Sequence, residues 1–209
     1  MAKRNLVGIA GLVSAIALGA CSAMGQVVPA DEVADAQVPV ALEKHRVVIL
    51  TDMEADPDDT QSLVRLLLYA NEIDIEALVA TTSIWKKENI RPDSIRVTLG
   101  KYGEVYDTLS QHAQGYPSEA ELQDLVMSGQ PGYGMASVGT GRSTEGSDAI
   151  IDLLEAEDER PLWISVWGGA NTLAQALYDI RETRSEAEAE RLISKLRVYT
   201  ISDQDDSGI

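Results

Sequence analysis

The chain has 209 residues, with 34 Asp and Glu against 17 Lys and Arg, a single Cys and 44% apolar side chains. That length fills one sizeable core but not several domains. A formal charge of −17 argues against a nucleic-acid partner, because that affinity rests on Lys and Arg neutralising phosphates, and one Cys excludes a disulfide framework or a Cys-rich metal site.

Lys3 and Arg4 precede a nearly unbroken apolar run over 6–17, which ends in Leu18-Gly19-Ala20-Cys21. This is the layout of a secretory signal, and the run is shorter than the ~20 residues of a membrane-spanning helix. Its ending resembles the bacterial lipobox. That resemblance implies acylation of Cys21 and, with Ser22 next, sorting to the outer membrane. The expectation is a signal peptide over 1–20, a lipidated tether over 21–44 rich in Ala, Val, Pro and acids, and one domain over 45–209. Such a protein is exported and meets the membrane through its lipid anchor alone.

The first element of the domain is a β-branched run over 46–51, the pattern of a buried strand. Asp56, Pro57, Asp58 and Asp59 then supply an N-cap residue, a proline for the first helical position and acids for the first turn, and Leu63, Leu66, Leu67 and Ala70 continue at helical spacing. A second strand is predicted over 75–82, helical spacing over 92–112 interrupted near Gly100 and Gly103, and a short helix over 119–127. Residues 128–146 hold six glycines and read as a long loop, a length that in compact domains is often functional. A helix over 147–157, a third strand over 161–167, helices over 171–181 and 185–195 and a fourth strand over 196–201 complete the pattern.

Strands separated by helical stretches predict an open, mostly parallel α/β sheet with helices on both faces. Ligands of such sheets bind beyond the carboxyl ends of the strands. The candidate loops are therefore 52–59, 83–91, 168–171 and 202–208. The first carries five carboxylates in eight residues: Asp52, Glu54, Asp56, Asp58 and Asp59. Helix capping explains Asp56 and one of the final pair, since acids at a helix N-terminus gain ~0.3–1 kcal/mol each. Asp52 and Glu54 lie before the helix. Their crowding is relieved by a hard cation, which takes oxygen ligands. An EF-hand loop counted from Asp52 fails, with Pro57 in place of Gly and Leu63 in place of Glu. A phosphatase with Asp52 as nucleophile is a weak alternative, because Glu54 and Asp56 fit its motif poorly.

Thr51-Asp52-Met53-Glu54-Ala55-Asp56-Pro57-Asp58-Asp59 resembles the Asp-x-Asp-Pro-Gly-x-Asp-Asp loop of the nucleoside hydrolases. Ala80-Thr81-Thr82 and the turn from Trp167 through Gly168, Gly169 and Ala170 to Asn171 match later strand ends. With the stretch from Ile201 to Gly208 added, the domain is similar to the divergent bacterial proteins called cellulose-binding, nucleoside hydrolase-like. The resemblance implies that Glu54 and Asp59 hold Ca²⁺ together with the backbone carbonyl of Asn171, that Asp58 is the general base, and that Asp52 is a substrate-side carboxylate. Asn171 also reads as a plain helix N-cap. Trp85 is a candidate for stacking on a sugar ring, and Asp205 lies on the binding edge. Family members continue past the fourth strand, so a C-terminally incomplete domain is expected. The implied function is Ca²⁺-dependent hydrolysis of an N-glycosidic or glycosidic bond in a nucleoside-like or sugar substrate. The alternative is a carbohydrate- or polysaccharide-binding lipoprotein that kept the fold without catalysis.

Overall fold

The computed structural model describes residues 43–200. Cys21, the signal and most of the tether, and Asp205 lie outside them. Five strands form one parallel sheet: β1 (His45–Thr51), β2 (Ile73–Ala80), β3 (Val126–Ser128), β4 (Leu162–Val166) and β5 (Leu196–Thr200). Their spatial order is β3-β2-β1-β4-β5. The chain first builds outward from β1 to β3 and then returns to the other side of β1. This reversal opens a crevice between the carboxyl ends of β1 and β4.

Helices cover both faces, as the alternation predicts. On one face α1 (Pro57–Leu67), α2 (Pro92–His112) and α3 (Glu119–Asp124) pack Leu63, Leu67, Ile95, Leu99 and Leu122 against Ile49 and Leu78 of the strands. On the other, α4 (Glu145–Glu155), α5 (Asn171–Thr183) and α6 (Glu186–Ser194) bury Ile150, Leu154, Ala176 and Leu192 on Val48, Leu50, Val79 and Ile164. Neighbouring residues of β1 and β2 thus point to opposite cores, so both strands read as continuous apolar runs. Edge strand β5 is different: Val198 and Tyr199 are exposed, as is Trp163 beside them on β4. No helix among the described residues is long and apolar enough to cross a membrane.

Three expectations about the elements are corrected. The helix over 92–112 runs unbroken through Gly100 and Gly103. The helix expected over 119–127 stops at Asp124, and Val126–Ser128 pairs with β2 as a fifth strand. Three residues directly after a helix show no strand periodicity; their pairing is set by Leu78, Val79 and Ala80, far away in sequence. The Gly-rich stretch is also more ordered than a bare loop. It contains a 3-10 turn (Met135–Ser137), and its Gln130 side chain donates to the carbonyls of Ser137 (3.2 Å) and Arg142 (2.8 Å).

Candidate functional site

Three strand ends converge at the crevice. Thr51 and Asp52 leave β1, Thr81 and Thr82 leave β2, and Gly168 and Gly169 leave β4. Backbone bonds fasten them together: Thr81 N–H donates to Thr51 O (2.8 Å), Gly168 N–H to Leu50 O (3.0 Å) and Gly169 N–H to Thr82 O (2.7 Å). Both glycines are required by close approach. A Cβ on Gly168 would lie 2.8 Å from Asp52 Cβ and from Thr81 Oγ1, and one on Gly169 would lie 2.2 Å from the Thr82 carbonyl oxygen.

Asp52 and Asp59 are both buried here. Asp59 Oδ2 accepts from the Asp52 backbone N–H at 2.9 Å and from the Thr51 hydroxyl. Burial pushes the Asp59 carboxyl up to about 7, with the nearby charge of Asp52 adding to the shift. Asp58 is half-buried one residue earlier, and its Oδ1 accepts the Asp59 N–H (3.1 Å). Asp58 and Asp59 occupy the first turn of α1, where acids suit the helix dipole. Asp56 sits at the N-cap, but its side chain makes no capping hydrogen bond. A shallow depression of about 360 Å³ opens beside Asp58 and Asp59 and runs past Trp167 to Tyr199.

Asn171 is buried at the first position of α5. The N-cap is Ala170, so the capping role read from the sequence is not what Asn171 does. Its Nδ2 donates to the Gly132 carbonyl (2.7 Å) and to Thr82 Oγ1 (3.3 Å). Among the described residues, Asn171 Oδ1 and Thr81 Oγ1 are buried at this edge without a hydrogen-bond partner.

Glu54 stands apart. It adopts φ 72°, a left-handed conformation rare for a residue with a Cβ, and its carboxylate turns outward. Oε2 accepts from Arg91 Nε at 2.8 Å and Oε1 from the Ser94 hydroxyl. The Ser94 bond, reinforced by Arg91, holds Glu54 below the usual carboxylate range. Trp85 is 65% exposed on the β2–α2 loop, at the rim of the site.

A divalent cation would find only a partial donor set in these residues. The buried Asp52 and Asp59 repel each other, and the unpartnered Asn171 oxygen is a neutral donor of the hard type such a cation takes. Glu54 does not complete the set as placed, and no group of three or more His, Cys, Asp or Glu converges among the described residues. The carboxylates are legible in the sequence, but the contribution of the Thr51 hydroxyl and the side-chain role of Asn171 are not. A Thr-Thr pair ending β2 was the one sequence signal for the polar floor.

A parallel sheet with an acidic loop after the central strand and a Gly-Gly turn where strand order reverses defines a nucleoside hydrolase-like α/β protein. The chain belongs to the family described as cellulose-binding Sde182, nucleoside hydrolase-like domain, which matches residues 46–209. It is 47% identical to a solved structure described as a nucleoside hydrolase-related hypothetical protein from Saccharophagus degradans that is associated with carbohydrate metabolism. The two superpose with a TM-score of 0.76 over 79% of this chain and 40% of that one, so this chain spans well under two thirds of its relative. No curated protein matches the sequence.

Proposed function

We propose that the chain carries the acid-bearing part of a Ca²⁺-dependent hydrolase of glycosidic or N-glycosidic bonds. The observation that supports this most is the pairing of buried Asp52 and Asp59, with Asp58 one residue away and an unpartnered Asn171 oxygen buried at the same edge of the sheet. Asp52, Asp59 and Asn171 Oδ1 would hold the cation. When bound there, Ca²⁺ supplies charge that orients a water and a sugar diol. Asp58 takes the proton of the attacking water as general base, and the Thr51 hydroxyl steadies the Asp59 carboxylate in place. The bond from the anomeric carbon to the aglycone breaks through an oxocarbenium-like state as the water oxygen bonds to that carbon, and the aglycone takes its proton from solvent.

The same reading makes the protein an exported envelope lipoprotein, acylated at Cys21. Incorporation of labelled palmitate into the wild type and its loss in Cys21→Ser is the expected pattern. For the chemistry, release of reducing sugar from nucleosides or oligosaccharides in Ca²⁺ should fall roughly 10²–10⁴-fold in Asp58→Asn. Titration calorimetry on EDTA-stripped protein should detect Ca²⁺ uptake; a flat titration sinks the metal assignment.

A second reading, a carbohydrate-binding lipoprotein without catalysis, draws on Glu54. Its carboxylate is engaged by Arg91 and Ser94 instead of joining Asp59. Sugar binding without turnover in wild type and Asp58→Asn alike would favour it.

A further inference from the structure

Just beyond β2 the chain carries three hydroxyls in a row, Thr81, Thr82 and Ser83, and two of them are engaged. Thr82 Oγ1 donates to the Gly132 carbonyl (3.3 Å) and accepts from Asn171 Nδ2, and Gly132 is itself tied to Glu88 by an isolated antiparallel bridge. Ser83 Oγ accepts the backbone N–H groups of Trp85 and Lys86, each at 3.1 Å. Thr81 differs. It is fully buried, and among the described residues its Oγ1 has no hydrogen-bond partner. Leaving a buried hydroxyl unpaired is unfavourable, and valine would suit the same extended position without that penalty.

The neighbours of Thr81 show what its hydroxyl faces. A Cβ on Gly168 would lie 2.8 Å from Thr81 Oγ1, from Asp52 Cβ and from the Asp52 backbone nitrogen. The hydroxyl and the root of the Asp52 side chain therefore meet across the space that the missing Cβ leaves. Gly168 is not among the glycines with positive φ, so this position requires room and not a left-handed backbone. The next glycine serves the second unpartnered oxygen in the same way, with Asn171 Oδ1 lying 3.7 Å from where a Cβ on Gly169 would stand.

We propose that the Thr81 hydroxyl oxygen is a further ligand of the cation held by Asp52 and Asp59, standing in for Glu54, whose carboxylate is engaged by Arg91 and Ser94. The assignment rests on the Ca²⁺ reading above and adds a donor to it. A hydroxyl keeps its proton and still offers a lone pair, so it contributes a hard oxygen without adding charge beside two carboxylates. An enclosed water would satisfy the hydroxyl too, but would leave cation affinity independent of it.

Titration calorimetry with CaCl₂ on the EDTA-stripped 209-residue chain, together with melting temperatures read with and without Ca²⁺, tests the assignment. Thr81→Val keeps the branched shape and removes the oxygen, whereas Thr81→Ser keeps the oxygen. Wild type and Thr81→Ser should take up Ca²⁺ with comparable affinity, and Thr81→Val should bind roughly tenfold more weakly. Without metal, Thr81→Val should melt at or above the wild-type temperature, because it loses an unpaired buried hydroxyl, and only its Ca²⁺-induced rise should shrink. Equal Ca²⁺ affinity in wild type and Thr81→Val would overturn the assignment while leaving the cation site standing. So would a weakened Thr81→Val that also melts lower without metal and is not rescued by Thr81→Ser, the mark of a packing role. A wild type that takes up no Ca²⁺ removes the cation reading itself, and this ligand with it.

Discussion

The two ends of the sheet handle charge in opposite ways. At the amino end, a buried guanidinium meets carboxylates. Buried Arg46 donates from Nε to Glu76 (2.6 Å) and lies 3.4 Å from Asp158, while its Nη2 reaches the Leu153 carbonyl (3.1 Å). Arg160 joins Asp158 (2.8 Å) to Asp74 (2.6 Å). At the carboxyl end, Asp52 and Asp59 are buried side by side, with uncharged hydroxyl and amide groups around them. The first arrangement ties β1, β2 and the start of β4 together. The second withholds compensation that a bound ligand could supply, which is why it is the better site candidate.

Breaking the amino-end network should have the largest effect on folding. Arg46→Ala leaves Glu76 and Asp158 without their buried partner and opens a void beside the Leu153 carbonyl. A loss of about 3 kcal/mol is expected, the lower part of the range for halving a buried pair, since both carboxylates keep some contact with water. Urea denaturation measures it. A variant as stable as wild type would mean that the network orients strands without stabilising them.

The ends should also respond oppositely to pH. The hydrogen bonds from Arg160 depress Asp158 to about 2, so its contribution is complete above its ordinary value of 3.8 and is lost as pH falls through 2. Asp59 is raised from 3.8 to about 7, so between those values the folded chain keeps a proton that the unfolded chain releases. Stability from this site therefore falls as pH rises from about 4 to about 7, then levels off. Asp59→Asn should remove that fall and leave the acid limb unchanged. Ca²⁺ added at pH 8 should raise the melting temperature of wild type but not of Asp59→Asn. Coincident melting profiles for the two proteins would break the contrast.

Much of this is legible in the amino-acid sequence alone. The run from Val47 to Leu50 and the proline at the start of α1 announce a strand and a helix, and a binding edge follows from parallel strands. The acid loop stood out because five carboxylates exceed what capping needs. What the sequence concealed was long-range. The partners of Glu54 lie 37 and 40 residues away, so nothing near residue 54 shows that its carboxylate turns outward. Asn171 has the residue type of a cap and the position of a first helical residue, and the backbone of Ala170 decides between them. The bridge from Glu88 to Gly132 joins two loops that each read as irregular.

The smallest effect concerns that outward turn. Arg91 and Glu54 are about half exposed, so solvent screens their pairing, and Arg91→Ala should barely move the melting temperature. Its effect on Ca²⁺ should be easier to detect. In wild type, Glu54 could approach a cation beside Asp59 only by giving up Arg91, and that exchange would subtract from binding. Without Arg91 only the Ser94 hydroxyl holds it, so Ca²⁺ affinity should tighten several-fold in calorimetry, and Glu54→Gln should cancel the gain. Equal affinities in all three proteins would leave the cation to Asp52, Asp59 and Asn171 with no help from Glu54. The strained backbone at Glu54 would then serve only to fasten the β1–α1 loop to the start of α2.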